Sequence, residues 1–449
     1  MEGIAAIEHR DAGAALRRLA APTALAMAGD QLLGIVDTIA IGTLGTGALA
    51  AITGAVSVFM AFWIGLFAFG TGLRIVGAQA IGAGNGERFG TIVRSSAVVP
   101  IAIALICALG SLAFGRPLMA AMLPAGTPVD AAARYLELRM LCLIPMAAGA
   151  MIVVAFATAG DARLAMRLLV VINAVHIPLV LVLALGAATH HPLGLTGAGI
   201  SSLCAEIIGL AYTLVAAARR PELRILASAR IEPALVRLTA ALSWPEYVFL
   251  VLQLAPDPLT IFWLAPYGAQ TVASFRALTL VSDLTWALPG SLGDASEIIV
   301  GQRIGAGDYA GVWAFQRAAT RIALVLCALV GGVVAAFAWP LAALCTLNAG
   351  LASLAAGPLA LHVGVTLPLK GYAMTVLAPI RAAGETRFVM VMGIGMVVLA
   401  VSGILLGIDV LHWGLWSVPF GWTMGWVLRA VVTSTRLRSG SWERRRIAT

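Results

Sequence analysis

Residues 78–85 read AQAIGAGN and residues 301–308 read GQRIGAGD, so one pattern occurs twice at an offset of 223 residues. Further pairs at offsets of 223 or 224 residues are Pro22 with Pro245, Gly45 with Gly268, and residues 160–163 with residues 384–387. The chain contains 48 glycines, but several residue types keep one spacing, which disfavours a coincidence of composition. The repeat predicts two structurally equivalent halves.

The composition places both halves in a membrane. Hydrophobic residues make up 61% of the 449 residues, charged residues make up 11%, and the mean hydropathy is +0.97. Soluble domains are about 45–50% apolar and about 25% charged, so this chain lacks the polar residues to cover a soluble enzyme. It is also far too apolar to be disordered. At roughly 20 residues per crossing, the length accommodates about a dozen helices and no large soluble domain.

The distribution of polar residues predicts the lobes and their orientation. The longest polar connection, residues 219–237, separates six apolar segments from six others, so we predict lobes at residues 1–218 and 238–449 with a linker between them. The net charge is +8, and arginines concentrate in alternate connections. Cytoplasmic loops carry an excess of Lys and Arg, so we expect a plasma (inner) membrane protein with both termini and the linker in the cytoplasm. A parallel repeat of this kind is typical of secondary transporters.

Short motifs follow one another in a fixed order along nearly the whole chain. They are VDT at 36–38, GTLG at 42–45, ALAA at 48–51, AQAIGA at 78–83, GD at 160–161, GQRIGA at 301–306 and GET at 384–386. Together they resemble the multidrug and toxic compound extrusion (MATE) family. The resemblance implies an all-α polytopic fold, with about twelve transmembrane helices in two pseudo-symmetric six-helix lobes around a central cavity. It also implies export of organic cations and other amphiphiles in exchange for H⁺ or Na⁺.

The fifth span departs from the family pattern N-x-x-x-D-P. Residues 173–178 read NAVHIP, so Ile177 stands at the position of the acid and His176 precedes it. Asp37 in the first span does match the family. The resemblance therefore favours H⁺ coupling through the N-terminal lobe and keeps Na⁺ coupling as the alternative.

The seventh span departs from the family as well. Many members carry a glutamate about two turns after the proline, where this chain has Gln253. Glu246 and Asp257 flank that position, so all three are candidate residues of the substrate cavity. The segment Pro256-Asp257-Pro258 is expected either to break the span locally or to lie in the outer loop.

Asp37 is the leading candidate for ion coupling. Ionisable side chains inside a membrane are costly, so each is a functional candidate by default. A carboxyl group in a low dielectric takes up a proton readily, which suits an acid that alternates between H⁺ and substrate. Asn173 and Gln31 are candidate hydrogen-bond partners. The alternative is a carboxylate that is hydrogen-bonded between helices as a packing device.

His176 has two interpretations. Histidine titrates near neutral pH, so His176 is a candidate to replace the acid that is missing at Ile177. The alternative is a neutral histidine that is hydrogen-bonded to a neighbouring helix.

The eighth span carries a row of charges. Arg276, Asp283 and Asp294 are spaced by 7 and 11 residues, which places them on one helical face. A charged face cannot contact lipid, so we expect it to face the lobe interior or the cavity. Pro289 lies between the two acids and is a point where the register can slip.

Three further charges lie within predicted spans. Lys370, the only lysine, is in the tenth span, and Asp283 and Asp257 are its candidate partners in a static or switching pair. Glu297 corresponds to Arg74 by the repeat offset, so the two form either a gate or separate solvated sites. Aromatic side chains that are candidates to contact a cation, or else to face lipid, are Trp244, Phe249, Trp263, Trp286 and Tyr372.

These observations favour an H⁺-coupled antiporter of amphiphilic, cationic small molecules that acts as a monomer within the lipid bilayer. No HExxH, GxSxG or Walker motif is present, so we expect no enzyme, ATPase, cofactor, metal or nucleic-acid partner. The five cysteines lack CxxC spacing, which favours inert buried thiols. The alternative is a flippase of lipids or lipid-linked oligosaccharides from the same superfamily, which needs a strongly cationic cavity. The candidate intramembrane acids outnumber the bases, which disfavours that alternative.

Overall fold

A computed structural model describes residues 12–124, 126–187 and 192–444, without the side chains of residues 30–39, 46 and 444. The described residues form fifteen α-helices and no strand. They are α1 Ala12–Gly42, α2 Thr46–Phe67, α3 Gly70–Gly82, α4 Gly86–Met122, α5 Val129–Thr158, α6 Arg163–Leu179, α7 Gly194–Ala218, α8 Pro233–Leu252, α9 Pro256–Leu264, α10 Ala269–Ala306, α11 Tyr309–Ala336, α12 Ala338–Thr346, α13 Ala349–Ala382, α14 Thr386–Leu405 and α15 Ser417–Arg438.

The helices confirm the predicted all-α polytopic fold. Nine helical segments of the described residues are long and apolar enough to cross a membrane, two of them formed by joining α2 with α3 and α8 with α9. The helices α1, α10 and α15 are 31, 38 and 22 residues long, which also suffices for a crossing. Helix α10 is not among these nine segments, and five of its residues are charged. These ionisable groups lie along an otherwise apolar span.

Contacts divide the chain into two units that are not contiguous halves. The N-terminal unit consists of residues 25–77 and 85–247, and the C-terminal unit consists of residues 1–24, 78–84 and 248–449. In the N-terminal unit, α5 packs against α2, α4 and α7. In the C-terminal unit, α13 packs against α10, α11 and α15. The boundaries predicted from the repeat, residues 1–218 and 238–449, stay a prediction.

Glycines of the repeat hold equivalent turns in the two halves. Gly84 has a φ of 79° and Gly307 a φ of 77°, so both lie in the left-handed region that disfavours a Cβ atom. Gly45 and Gly268 are related in the same way, with φ values of 108° and 95°. The sequence repeat is therefore also a repeat of backbone conformation.

Proline coincides with a break in the seventh span but not in the eighth. The seventh span is broken between Leu252 and Pro256, where α8 ends and α9 begins, as one of the two interpretations predicted. In contrast, α10 continues through Pro289 without interruption. The register of its charged row is therefore kept, with Arg276 and Asp283 exposed and Asp294 half-buried.

The polar connection is folded against the N-terminal unit. Helix α8 begins at Pro233, so the last five residues of the predicted linker 219–237 are helical. Arg94 of α4 donates hydrogen bonds to the carbonyl oxygens of Arg224 (2.7 Å), Ile225 (2.9 Å) and Arg230 (3.1 Å). These bonds satisfy backbone groups of an irregular segment, so the connection is an ordered part of the N-terminal unit.

An ion pair also joins the connection to α4. Arg88 donates to Glu232 at 2.8 Å, and this hydrogen bond holds the pKa of Glu232 below its usual value. Because the folded-state pKa is depressed, the contribution to stability is present at neutral pH and is lost as the pH falls through the depressed pKa. Both side chains are partly solvated, so this contribution is small.

Candidate functional site

Position 37 and His176 lie at similar distances along the chain beyond one contact between α1 and α6. Helices α1 and α6 meet where Leu169 packs on Gly29, since a Cβ built on Gly29 would overlap the Leu169 side chain. The two helices are the first and fifth spans, so they cross the membrane in the same direction. Residue 37 is eight residues beyond Gly29 and Ile177 is eight beyond Leu169, and both helices rise about 1.5 Å per residue. The side chains of Asp37 and Gln31 lie outside the described residues.

The two residues at the end of α6 face different surroundings. His176 is 3% exposed, whereas Ile177 is 37% exposed. A rotation of about 100° per residue separates their side chains, so the histidine faces the packed interior of the unit. Asn173, one turn earlier, donates its Nδ2 hydrogen to the carbonyl oxygen of Leu169 at 2.8 Å. The roles predicted for His176 and Asn173 stay predictions.

Two further predicted residues are buried in the N-terminal unit. Arg74 donates from Nη2 to the hydroxyl of Thr71 at 3.2 Å, and Glu246 lies buried on α8. One turn before Glu246, Ser243 accepts from the backbone N–H of Gly72 at 3.0 Å and donates to the Phe69 carbonyl at 3.2 Å. Ser243 thus satisfies backbone groups at the break between α2 and α3.

Lys370 is the centre of a polar cluster inside the C-terminal unit. Its side chain is buried on α13 and its Nζ donates to the Ser282 hydroxyl at 3.3 Å. Ser282 is in turn hydrogen-bonded to Nε2 of His362 at 3.1 Å. The ammonium also lies 6.0 Å from the ring centre of Trp286 and 5.9 Å from that of Trp426. Two hydrogen-bonded polar groups, Ser282 and His362, and two indoles therefore lie near this cation.

The predicted partners of Lys370 are not its ion-pair partners. Among the described residues, neither Asp283 nor Asp257 forms a salt bridge with the ammonium. The physical reason is the rotation of α10, which presents Ser282 to α13 and leaves the next residue, Asp283, exposed. Asp283 still interacts electrostatically with Lys370 and Asp257 at longer range.

Arg429 is a buried cation that the sequence interpretation did not single out. It is 1% exposed, and its guanidinium lies 5.4 Å from the Phe249 ring and 5.2 Å from the Trp426 ring. Trp286 and Phe249, proposed above as faces for a cationic substrate, thus contact cations of the chain itself. Arg429 lies within the twelfth apolar segment of the sequence, and an ionisable residue at such a position is a functional candidate by default.

Glu297 has a buried partner that the sequence interpretation placed elsewhere. Its carboxylate lies 3.5 Å from Nη1 of Arg381, and both side chains are buried in the C-terminal unit. Arg381 lies in the last turn of α13. The gate between Arg74 and Glu297 was inferred from the repeat offset, and it stays a prediction.

The remaining predicted cavity residues lie near the break of the seventh span or on α10. Gln253 and Asp257 are half-buried at the break between α8 and α9. Backbone groups at such breaks are available to ligands because the hydrogen bonds of the helix are interrupted. Asp257 is also close enough to Arg276 for an electrostatic interaction.

A paired and an unpaired buried cation are expected to respond differently to removal. Lys370→Met is expected to change the free energy of unfolding by less than about 1 kcal/mol, because no carboxylate in the described part of the chain forms an ion pair with this ammonium. Arg381→Met is expected to lower it by about 3 kcal/mol, because Glu297 loses a buried partner. Thermal unfolding of both purified variants in detergent measures the difference. A larger loss for Lys370→Met than for Arg381→Met would contradict this account of the two cations.

The comparison with protein families covers both halves of the chain. The family model MatE matches residues 22–182 and 248–406. The chain belongs to the MATE family. The two matched regions lie on either side of the polar connection, so both halves of this MATE protein carry the family pattern.

Two individual proteins that are similar to this chain carry the name NorM. The MATE chain is 27% identical over 304 residues to the "Probable multidrug resistance protein NorM" of Pasteurella multocida, a match that covers 64% of this chain and 63% of that relative. It thus spans slightly less than two thirds of the relative's length. A similarly named NorM protein of Mannheimia succiniciproducens is 27% identical over 319 residues, which cover 66% of this chain and 65% of that relative.

Solved structures show the fold of the MATE chain. One, described as the outward-facing conformation of a multidrug resistance MATE family transporter, is 18% identical, with a TM-score of 0.88 over 98% of this chain and 99% of the other. A variant of the Vibrio cholerae MATE transporter VcmN is 18% identical, with a TM-score of 0.84 over 99% and 100%. At such identities the likeness concerns the fold alone.

Proposed function

We propose that this chain is a secondary antiporter that exports amphiphilic, cationic small molecules in exchange for H⁺, with both termini in the cytoplasm. The observation that carries the proposal is the position of Asp37. An ionisable residue within a membrane span is costly unless it has a function, and position 37 lies about as far beyond the contact of α1 with α6 as His176 does. Protonation favours one arrangement of the protein and substrate binding favours the other.

Proton coupling is favoured over Na⁺ coupling by the charges of both units. In the N-terminal unit, Ile177 replaces one of the carboxylates that a Na⁺ site would use, since hard cations prefer oxygen ligands. In the C-terminal unit, the buried ammonium of Lys370 and guanidinium of Arg429 repel any inorganic cation placed beside them. A proton bound by a carboxyl group needs no such coordination shell.

A flippase or an exporter of anionic amphiphiles is the second candidate. The structure adds Arg381 and Arg429 to the buried bases of the C-terminal unit. The excess of acids over bases, which disfavoured this candidate in the sequence, is therefore reduced. The polarity of the transported molecule separates the two candidates.

Transport in proteoliposomes tests the proposal. Wild-type protein is reconstituted with a fluorescent organic cation inside the vesicles, and a pH gradient or a Na⁺ gradient is imposed. We expect efflux that follows the pH gradient at constant Na⁺ and that is collapsed by a protonophore. Efflux that follows Na⁺ alone would overturn proton coupling, and transport of an anionic amphiphile in place of the cation would favour the second candidate.

A further inference from the structure

A groove in the C-terminal unit combines an apolar floor with two exposed arginines. It has a volume of about 640 Å³ and is formed by the first half of α1, the middle of α10 and the middle of α11. This volume is within the range of about 300–1,000 Å³ that is typical of small-molecule sites. Leu16, Leu292 and Ser291 form its buried floor.

The charged side chains that line the groove are both basic. They are Arg17 of α1 and Arg321 of α11, and both are exposed. Neither guanidinium forms an ion pair with any residue in the described part of the chain. No acidic residue belongs to the described lining. A cationic substrate is therefore repelled from this groove, whereas an anionic head group is attracted.

An apolar row continues from the groove along α11. Val325 and Leu326 line the groove one turn beyond Arg321, and Leu329 and Val333 follow with exposed fractions of 61% and 58%. Exposed apolar side chains on a membrane-spanning helix face lipid. The geometry is that of an anchored amphiphile, with a negative head group at the two arginines and an acyl chain along this row.

We propose that this groove binds an anionic glycerophospholipid of the surrounding bilayer. Basic pockets between transmembrane helices at the arginine-rich side of a membrane bind acidic phospholipid head groups. The two guanidiniums contact the phosphate, which Arg binds through paired N–H donors, and the apolar row contacts one acyl chain. The lipid bridges α1 and α11, so its binding stabilises the C-terminal unit.

Lipid-dependent stability tests this site. Purified full-length protein in detergent is titrated with phosphatidylglycerol or with phosphatidylcholine of the same acyl chains, and the unfolding temperature is measured. We expect phosphatidylglycerol to raise the Tm of the wild type by about 3 °C more than phosphatidylcholine does. The Arg17→Gln/Arg321→Gln variant is expected to lose this difference.

A matched variant controls for net charge. Arg18→Gln/Arg387→Gln removes two exposed arginines of the same unit that do not line the groove, and it should keep the lipid difference. Native mass spectrometry should show one retained phosphatidylglycerol in the wild type and in the control variant, and its loss in the groove variant. Equal effects of the two lipids, equal losses in the two variants, or an equal rise in Tm with oleate would each overturn the proposal.

Discussion

The variant Asp37→Asn is expected to lose nearly all pH-gradient-driven efflux. Asparagine keeps the shape of the side chain and removes its ability to release a proton, so the exchange of H⁺ for substrate has no site. We expect a loss of about 100-fold, near the upper end of the coupling free energies that link two sites in one protein. The rate of efflux from proteoliposomes at a fixed pH gradient measures this loss.

Asp30 provides the control for Asp37. It lies seven residues earlier on the same helix, on the same face and nearer the end at which the chain enters. Asp30→Asn makes the same change of charge, and we expect it to keep most of the efflux because the proposal assigns coupling to Asp37 alone. Wild-type rates for Asp37→Asn at a fixed pH gradient would refute the role of this acid.

The second prediction concerns the paired motifs at residues 78–85 and 301–308. Within the C-terminal unit the two motifs are in direct contact, and the glycines allow it. A Cβ on Gly82 would overlap the Gln302 carbonyl, and a Cβ on Gly305 would overlap the Gln79 carbonyl. Gln79 also donates from Nε2 to the Ala382 carbonyl at 2.7 Å. This contact between repeats therefore has no space for even one methyl group on either side.

The double variant Gly82→Ala/Gly305→Ala is expected to destabilise the C-terminal unit strongly. Ordinary overpacking costs about 1–3 kcal/mol per site, and the obstacle here is backbone at both sites, so we expect the upper end or more at each. Thermal unfolding and the yield of monodisperse protein measure the loss.

Gly332→Ala on α11 is the matched control, because open space surrounds that position. It should be neutral or stabilising, since Ala is the better helix former. A double variant as stable as Gly332→Ala would show that the two motifs do not depend on this contact.

Several features of the fold could be predicted because they are local. The count of spans follows from apolar segment length, and the broken seventh span follows from Pro256, which cannot donate a backbone hydrogen bond. Turns at Gly84 and Gly307 follow from glycine alone. The bounds of the linker, residues 219–237, stay a prediction, and helix α8 begins within it at Pro233.

The partners of buried charges could not be predicted in the same way. Spacing placed Arg276, Asp283 and Asp294 on one face of α10, and the uninterrupted helix agrees with this. Spacing did not determine which neighbour that face meets, so Asp283 was proposed as the partner of Lys370 and the structure places Ser282 there instead. One residue along a helix changes the direction of a side chain by about 100°.

The sequence by itself determined the membrane class, the repeat, the family and the acid at residue 37. Each depends on composition, spacing or motif order along the chain. Only the tertiary structure decided that Lys370 lies beside two indoles, that Arg381 pairs with Glu297, and that the two repeated motifs contact each other. The physical reason is that the rotation of each helix is fixed by the summed packing of all its neighbours, and no segment carries that information alone.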